Sequence, residues 1–219
     1  MAVSGAEQRN DRLHVNFLAW FALGGVIVYV GIDVLLRFLR PQYSLIYNAE
    51  SDYGRGSWYW VMDLNFLLRC AFSLAIAGAL SQTVRSNPRV RSGLVLLVVW
   101  AVCSGLLAFF ADDLEGQPVH GSGHIHIAFA FVAFTSVAVG TVLISSSLMS
   151  DPAWHAVGAV LFVVSLLGAA AFLLMGAALR HKHGPDGLYE RIFLGLELSW
   201  IALAAGFIAI RRPLTKLAS

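Results

Sequence analysis

The segment between residues 111 and 126 concentrates the side chains that are best suited to chemistry. It reads ADDLEGQPVHGSGHIH, with carboxylates at its start and imidazoles at its end. Neutral imidazole and carboxylate groups are ligands that divalent metals such as zinc take in proteins. Asp113, His120 and His124 therefore form a predicted metal set, in which the metal activates a bound water for attack. Without a metal, Asp113 and His124 could act as a general acid and base, and the plainer alternative is a set of polar loop residues at a wet interface.

A second candidate group lies in the segment GLYER, residues 187–191. Glu190 could carry a proton for the same reaction, although an acidic side chain in the first turn of a helix also stabilises the helix dipole. Arg191 offers a planar set of N–H donors that suits a phosphate or carboxylate group. Its alternative role is to extend its charged end to the membrane interface. We predict Glu190 as a catalytic residue and Arg191 as a ligand-binding residue.

A third candidate group lies in the polar segment SDYGRG, residues 51–56. Its two glycines permit a tight turn, which would fold Asp52 and Tyr53 back over the neighbouring polar segments. Asp63 follows about one turn inside an apolar run and has no partner close by in the sequence, so we predict that it faces a site shared between helices. Asp52, Tyr53 and Asp63 thus join Arg191 as predicted ligand-binding residues.

Two charged residues lie deep inside apolar runs. Arg69 and Glu197 each stand nine residues from the start of their run, or roughly 14 Å at the rise of an α-helix. A charge at that depth is costly in a membrane and normally finds a partner within the bundle. Their equal depth and opposite charge predict a buried ion pair between Arg69 and Glu197, and the alternative is a role in moving a substrate or a proton.

The amino-acid composition indicates the class of protein to which these residues belong. The 219 residues are 58% hydrophobic, and charged residues make up only 13% of the chain, whereas soluble domains contain about 25%. The mean hydropathy is +0.72. These values disfavour a soluble enzyme, a disordered tail and a disulfide scaffold. The net charge of +2 is too small to indicate a nucleic-acid partner, so the expected partner is the lipid bilayer.

Six apolar runs are long enough to cross that bilayer. A helix needs about 20 predominantly apolar residues to span the hydrocarbon core, and proline, glycine and charged residues separate the runs. We predict an all-α polytopic membrane protein in which residues 1–219 form one bundle of six transmembrane helices. The predicted spans are residues 17–39, 60–80, 93–111, 125–148, 153–179 and 188–210.

The distribution of Lys and Arg predicts how these spans are oriented. Loops on the cytoplasmic side of a membrane carry an excess of these residues. The two termini and the second and fourth loops together hold more of them than the other three loops. We therefore predict a multi-pass protein of the cell membrane with both termini in the cytoplasm. In that orientation, the outward-facing loops hold most of the candidate residues.

Three short motifs resemble the membrane protein family catalogued as domain of unknown function 998. They are SDYGRG followed by Trp58, the connection from Asp113 to His126 that ends in GHIH, and GLYERI at residues 187–192. The resemblance covers the chain from about the first span to the sixth. It implies a six-span protein of the kind found in bacteria and archaea, and it emphasises the same outer loops without attaching an activity to them.

These observations lead to one functional expectation and two alternatives. We expect an outward-facing polar pocket that binds a lipid head group, a small ligand or another membrane protein. The first alternative is a metal-dependent lipid or amide hydrolase that uses the Asp/His/Glu set, and the second is transport of a small solute or a proton. The cofactor is unknown: zinc is the candidate metal, and haem is not expected, because His14 and His155 stand singly at span ends.

Overall fold

Six long helices make up most of the computed structural model, which describes residues 5–113, 121–178 and 184–210. Within these ranges every regular element is helical. The helices are α1 Gly5–Leu39, α2 Tyr59–Thr83, α3 Pro88–Leu106, α4 Gly121–Leu148, α5 His155–Ala178 and α6 Asp186–Ile210. Two short 3-10 turns occur, Glu50–Gly54 between α1 and α2 and Leu107–Phe109 after α3.

Each helix contains a stretch that is long and apolar enough to cross a bilayer, so the chain is a multi-pass membrane protein, and each stretch overlaps one predicted span. The start of α3 differs from the prediction, since it lies at Pro88 instead of residue 93. Asn87 caps the helix by accepting the N–H of Val90 on its Oδ1 at 3.0 Å, and Pro88 occupies a position where no N–H is needed. Two arginines in that first turn interrupt the apolar pattern, which is why the pattern alone places the start too late.

The helices pack as a closed ring. Each helix packs against the next along the chain, α1 also packs against α6, and α2 touches α6 across the middle. One end of the ring, here called the rim end, carries residues 40–58, 110–113 and 184–186. The other end, the terminal end, carries residues 84–87 and 149–154. Because six helices alternate in direction, α1 begins and α6 ends at the terminal end.

Glycines allow the closest contact between α3 and α4. A Cβ atom at Gly93 would lie 2.6 Å from the Ile144 side chain and 2.8 Å from the carbonyl oxygen of Gly140. The backbones of the two helices are therefore in direct contact, as is usual in membrane bundles.

Gly93→Ala should destabilise the protein, because the new methyl group would overlap Ile144 and the Gly140 carbonyl. Overpacking of this kind costs about 1–3 kcal/mol. Gly31→Ala is the matched control, since no atom lies within 4 Å of its Cβ position, and alanine there should be neutral or stabilise the helix by up to about 1 kcal/mol. Thermal unfolding of the detergent-purified protein measures both. Equal unfolding temperatures for the two variants would contradict this packing.

Candidate functional site

The loop between α1 and α2 folds back into the rim end of the bundle. Its 3-10 turn is buried, with Glu50 only 3% and Tyr53 only 1% exposed. Arg40 holds the rest of the loop in place: its Nη1 donates to the carbonyl oxygens of Arg55 and Ser57. The loop is thus a folded cap whose polar residues point into the bundle.

The start of α6 holds the same loop from the other side. Arg191 Nη1 donates to the carbonyl oxygens of Leu45 at 3.3 Å and Asn48 at 2.7 Å. Gly187 permits this approach, since a Cβ there would lie 2.0 Å from the Asn48 carbonyl oxygen. Among the described residues, Arg191 Nε and Nη2 find no hydrogen-bond partner although both are buried. Arg191 therefore positions the loop through Nη1, and its Nε and Nη2 donors are left without an acceptor among the described residues.

A buried chain of hydrogen bonds runs from this contact toward the middle of the bundle. The backbone N–H of Glu50 donates to Glu190 Oε2 at 2.7 Å, and the Tyr29 hydroxyl donates to Glu50 Oε1 at 2.5 Å. Arg69 Nη1 in turn donates to the Tyr29 oxygen at 2.9 Å, and Asn65 Nδ2 donates to the Tyr29 carbonyl oxygen at 3.3 Å. We call Tyr29, Glu50, Arg69 and Glu190 the polar chain. It joins α1, α2, α6 and the loop.

Aromatic rings surround the guanidinium of Arg69. Its Cζ lies 4.8 Å from the centre of the Trp100 ring, 5.2 Å from that of Phe66 and 5.5 Å from that of Tyr29. Ring faces attract a cation, and the attraction is strongest where water is excluded. Arg69, which is 1% exposed, is thus stabilised by three rings and by the polar chain.

The predicted ion pair between Arg69 and Glu197 is wrong. The Glu197 carboxylate turns toward Gly168 on α5, where a Cβ would lie 2.5 Å from Oε1. Thr141 is close to it but donates its hydroxyl to the Val137 carbonyl oxygen. Neither Oε atom accepts a hydrogen bond from the described residues. Equal depth brought the two charges to the same level of the bundle, but they face different neighbours.

The polar chain lies in a cluster whose charges do not balance. Asp33 stands one turn after Tyr29 on α1 and interacts electrostatically with Arg191 and Glu50. Together with Glu50 and Glu190 it places three carboxyl groups beside two guanidinium groups, those of Arg69 and Arg191. Buried charges are costly unless they are neutralised. The cluster is electrically neutral when it holds one proton.

Glu50 is the titratable member of the cluster that lies outside the membrane-spanning helices. Burial raises its pKa from 4.5 to about 7, and the negative charge of Asp33 acts in the same direction. Arg69, the Tyr29 hydroxyl and Arg191 oppose that rise. The Glu50 carboxyl thus changes its charge near neutral pH.

A second group of polar side chains lies at the rim between the loop and α4. Ser51 Oγ donates to Asp112 Oδ2 at 3.1 Å, and His126 Nε2 lies 3.9 Å from the same oxygen. His126 Nδ1 is 2.7 Å from the carbonyl oxygen of Phe110, to which it can donate. The buried imidazole beside a carboxylate is therefore that of His126, whereas His124 is exposed.

The predicted metal set is only partly within the described chain. Asp113 packs its carboxylate against Gly123, at the start of α4, where no side chain would fit. His124 lies in the same turn, and His120 lies outside the described residues. In the part of the chain that the structure describes, no three His, Cys, Asp or Glu side chains are arranged to hold a metal ion.

The predicted ligand-binding residues fall into two places. Tyr53 and Arg191 lie together, with the guanidinium Cζ 5.8 Å from the centre of the ring. Asp52 is buried and accepts a hydrogen bond from Asn48 Nδ2 at 3.1 Å. Asp63 is half-buried near Gly54 at the far end of the 3-10 turn. Asp52 and Tyr53 therefore belong to the loop, and Arg191 and Asp63 lie next to it. Asp63 is not part of the cluster around the polar chain.

Tyr29 and Glu50 are the central residues that the sequence does not single out. A tyrosine inside an apolar run resembles any other core residue. The available signal is its spacing, because Tyr29 and Asp33 are four residues apart and lie on one face of α1.

The comparison with known proteins gives a family and no individual relative. A family model described as "Protein of unknown function (DUF998)" matches residues 22–206, from α1 to α6. The match confirms the resemblance carried by the three motifs. No curated protein sequence and no solved structure matches the chain.

The raised pKa of Glu50 predicts that the protein loses stability as the pH rises from 4.5 to about 7. The folded carboxyl binds its proton more tightly than the unfolded one, so folding is favoured at low pH and this advantage disappears as the proton leaves. Glu50→Gln mimics the protonated form and should reduce the slope of Tm against pH across that range.

The control for this experiment is Asp151→Asn at the terminal end, which should keep the wild-type slope of Tm against pH. Asp151 Oδ1 accepts a local backbone N–H at 2.9 Å, a bond that asparagine can retain. If Glu50→Gln keeps the wild-type slope of Tm against pH, a group other than Glu50 causes that slope.

Proposed function

Because this chain belongs to the DUF998 family, whose description specifies no activity, we propose from its geometry that it binds the head group of a membrane phospholipid at the rim end. The observation that carries the proposal is a groove of about 530 Å³ between the end of α1 and the loop. This volume is within the range of small-molecule sites. The groove is lined by Arg37, Phe38, Pro41, Tyr43, Ser44, Leu45 and Ile46.

The groove has the two kinds of surface that a phospholipid requires. Arg37, Tyr43 and Ser44 supply a cation and hydroxyl groups, and an arginine fork suits a phosphate. Phe38, 74% exposed, and Ile46, 46% exposed, supply apolar surface for the glycerol and upper acyl region. A lipid is favoured over a free solute because both surfaces lie at the end of a membrane-spanning helix.

Exposed aromatic residues support this location at the membrane interface. Trp58, Tyr59 and Trp60 follow the loop directly, and each is between 45% and 53% exposed. Tryptophan and tyrosine concentrate at the level of the lipid head groups. The groove would therefore lie at the depth where phosphates are found.

The buried cluster supports the proposal by fixing one wall of the groove. Arg191 holds the carbonyl oxygen of Leu45, and the Tyr43 ring packs edge-on against the Tyr53 ring with centroids 5.6 Å apart. A binding surface that is held in place before binding loses less entropy when the ligand arrives. The polar chain would thus serve to preorganise the lipid site.

The charge distribution supports one side of the membrane for the groove. With the basic terminal end in the cytoplasm, the rim end faces outward and the groove opens to the outer leaflet of the cell membrane. The protein would then act as a binding or accessory protein for phospholipids of that leaflet.

Arg37→Gln should weaken phospholipid binding by about 10- to 150-fold, because a charge-assisted hydrogen bond contributes about 1.5–3 kcal/mol. Native mass spectrometry of the detergent-purified protein, titrated with phosphatidylglycerol, measures the Kd. Diacylglycerol, which lacks the phosphate, should bind equally to wild type and variant.

Arg12→Gln is the matched control, since Arg12 is an exposed arginine on the same helix at the opposite end. Its phosphatidylglycerol affinity should equal that of the wild type. The proposal is contradicted if Arg37→Gln binds phosphatidylglycerol as tightly as Arg12→Gln does.

A further inference from the structure

Glu197 is a carboxyl group buried in the middle of the bundle, away from the lipid groove. It is 1% exposed, and neither of its oxygens accepts a hydrogen bond from the described residues. An ionisable side chain at this depth is costly, and such residues mark the paths of protons, ions or substrates through membranes.

The neighbouring helix leaves room for this carboxyl group. Gly168 on α5 faces Glu197, and any side chain there would collide with Oε1. Glu197 thus occupies a space that exists because a glycine stands opposite it, and Thr141 on α4 is the polar residue beside it.

Proton-carrying groups lead from the rim end toward Glu197. Glu190 precedes it by seven residues, so both side chains lie on one face of α6, about 10 Å apart along the axis. Glu190 is joined to Glu50 by a hydrogen bond, and Glu50 to the Tyr29 hydroxyl. The cluster that these residues form holds one proton when it is neutral. One proton can therefore reside in the cluster without leaving a net charge there.

Hydroxyl groups lead from Glu197 toward the terminal end. Ser145 follows Thr141 by four residues on the same face of α4, is fully buried, and accepts the indole N–H of Trp200 at 2.8 Å. Beyond it a cavity of about 320 Å³ lies at the terminal end, and its lining includes Asn87, Ser147 and Ser150. Polar groups are therefore distributed along the whole length of the bundle.

We infer that the bundle conducts protons across the membrane through Glu197. A proton from the rim side binds the cluster of Glu190 and Glu50, passes to the Glu197 carboxylate through intervening water, and leaves past Thr141 and Ser145 into the terminal cavity. Each O–H bond that breaks is replaced by one on the next group, so the carboxylates return to their starting state. One positive charge crosses the membrane, and no electron is transferred.

The test uses the purified full-length protein in liposomes that contain a pH-sensitive dye. A potassium gradient with valinomycin sets the membrane potential, and the rate of internal acidification is the readout. The wild type should acidify the lumen at least tenfold faster than protein-free liposomes. Glu197→Gln should reduce the rate to that of protein-free liposomes, because the amide cannot carry a proton in this way.

Ser199→Ala is the control, since Ser199 lies on the same helix at the same depth but is exposed on the outside of the bundle. It should conduct at the wild-type rate. Thr141→Val provides a second test that does not alter the acid, and it should slow conduction several-fold. Phosphatidylglycerol affinity, measured on the same preparations, should be unchanged in Glu197→Gln, which shows that the variant is folded and that the two sites are separate.

Two outcomes would overturn the inference. The first is a wild-type rate equal to that of protein-free liposomes although the reconstituted protein still binds phosphatidylglycerol. The second is a Glu197→Gln variant that conducts as fast as the wild type.

Discussion

The cost of burying the charge of Arg69 in an apolar bundle determines the arrangement of the rim end. A guanidinium that has lost its water must regain attractive contacts inside the protein. Aromatic rings on three sides provide part of this, and the Tyr29 oxygen provides a hydrogen bond. Tyr29 can serve because its own hydroxyl proton is donated to Glu50. Glu50, a loop residue, is therefore buried in the bundle together with its 3-10 turn.

The closed ring of helices makes that arrangement possible. Glu50 and Glu190 are 140 residues apart in the chain, and they meet because α1 and α6 are neighbours. Once they meet, the same contact brings Arg191 against the loop carbonyl oxygens. The pairing of the first and last helices thus couples the charge of Arg69, buried in the bundle, to the conformation of the surface loop.

The sequence predicts the spans well because hydrophobicity along a chain is a one-dimensional property, and the six helices occur where the apolar runs occur. It predicts the polar contacts less well because they depend on the direction in which each side chain leaves its helix. Arg69 and Glu197 match in depth, yet one faces Tyr29 and the other faces Gly168. Burial has the same origin: His126 is buried and His124 is exposed, since residues two apart in a helix point to different sides.

The cluster at the rim and the lone carboxyl of Glu197 differ in a way that bears on function. In the cluster, two guanidinium groups lie beside three carboxyl groups, and hydrogen bonds join Glu50 to Tyr29 and to Glu190. Glu197 differs because, among the described residues, the polar group that acts on it is the Thr141 hydroxyl and no guanidinium group lies beside it. In the proposed conduction, the cluster takes up the proton at the rim end and Glu197 carries it through the middle of the bundle. The proposed lipid groove shares the loop with the cluster and not with Glu197, so the two proposals predict that head-group binding and proton movement can be altered independently.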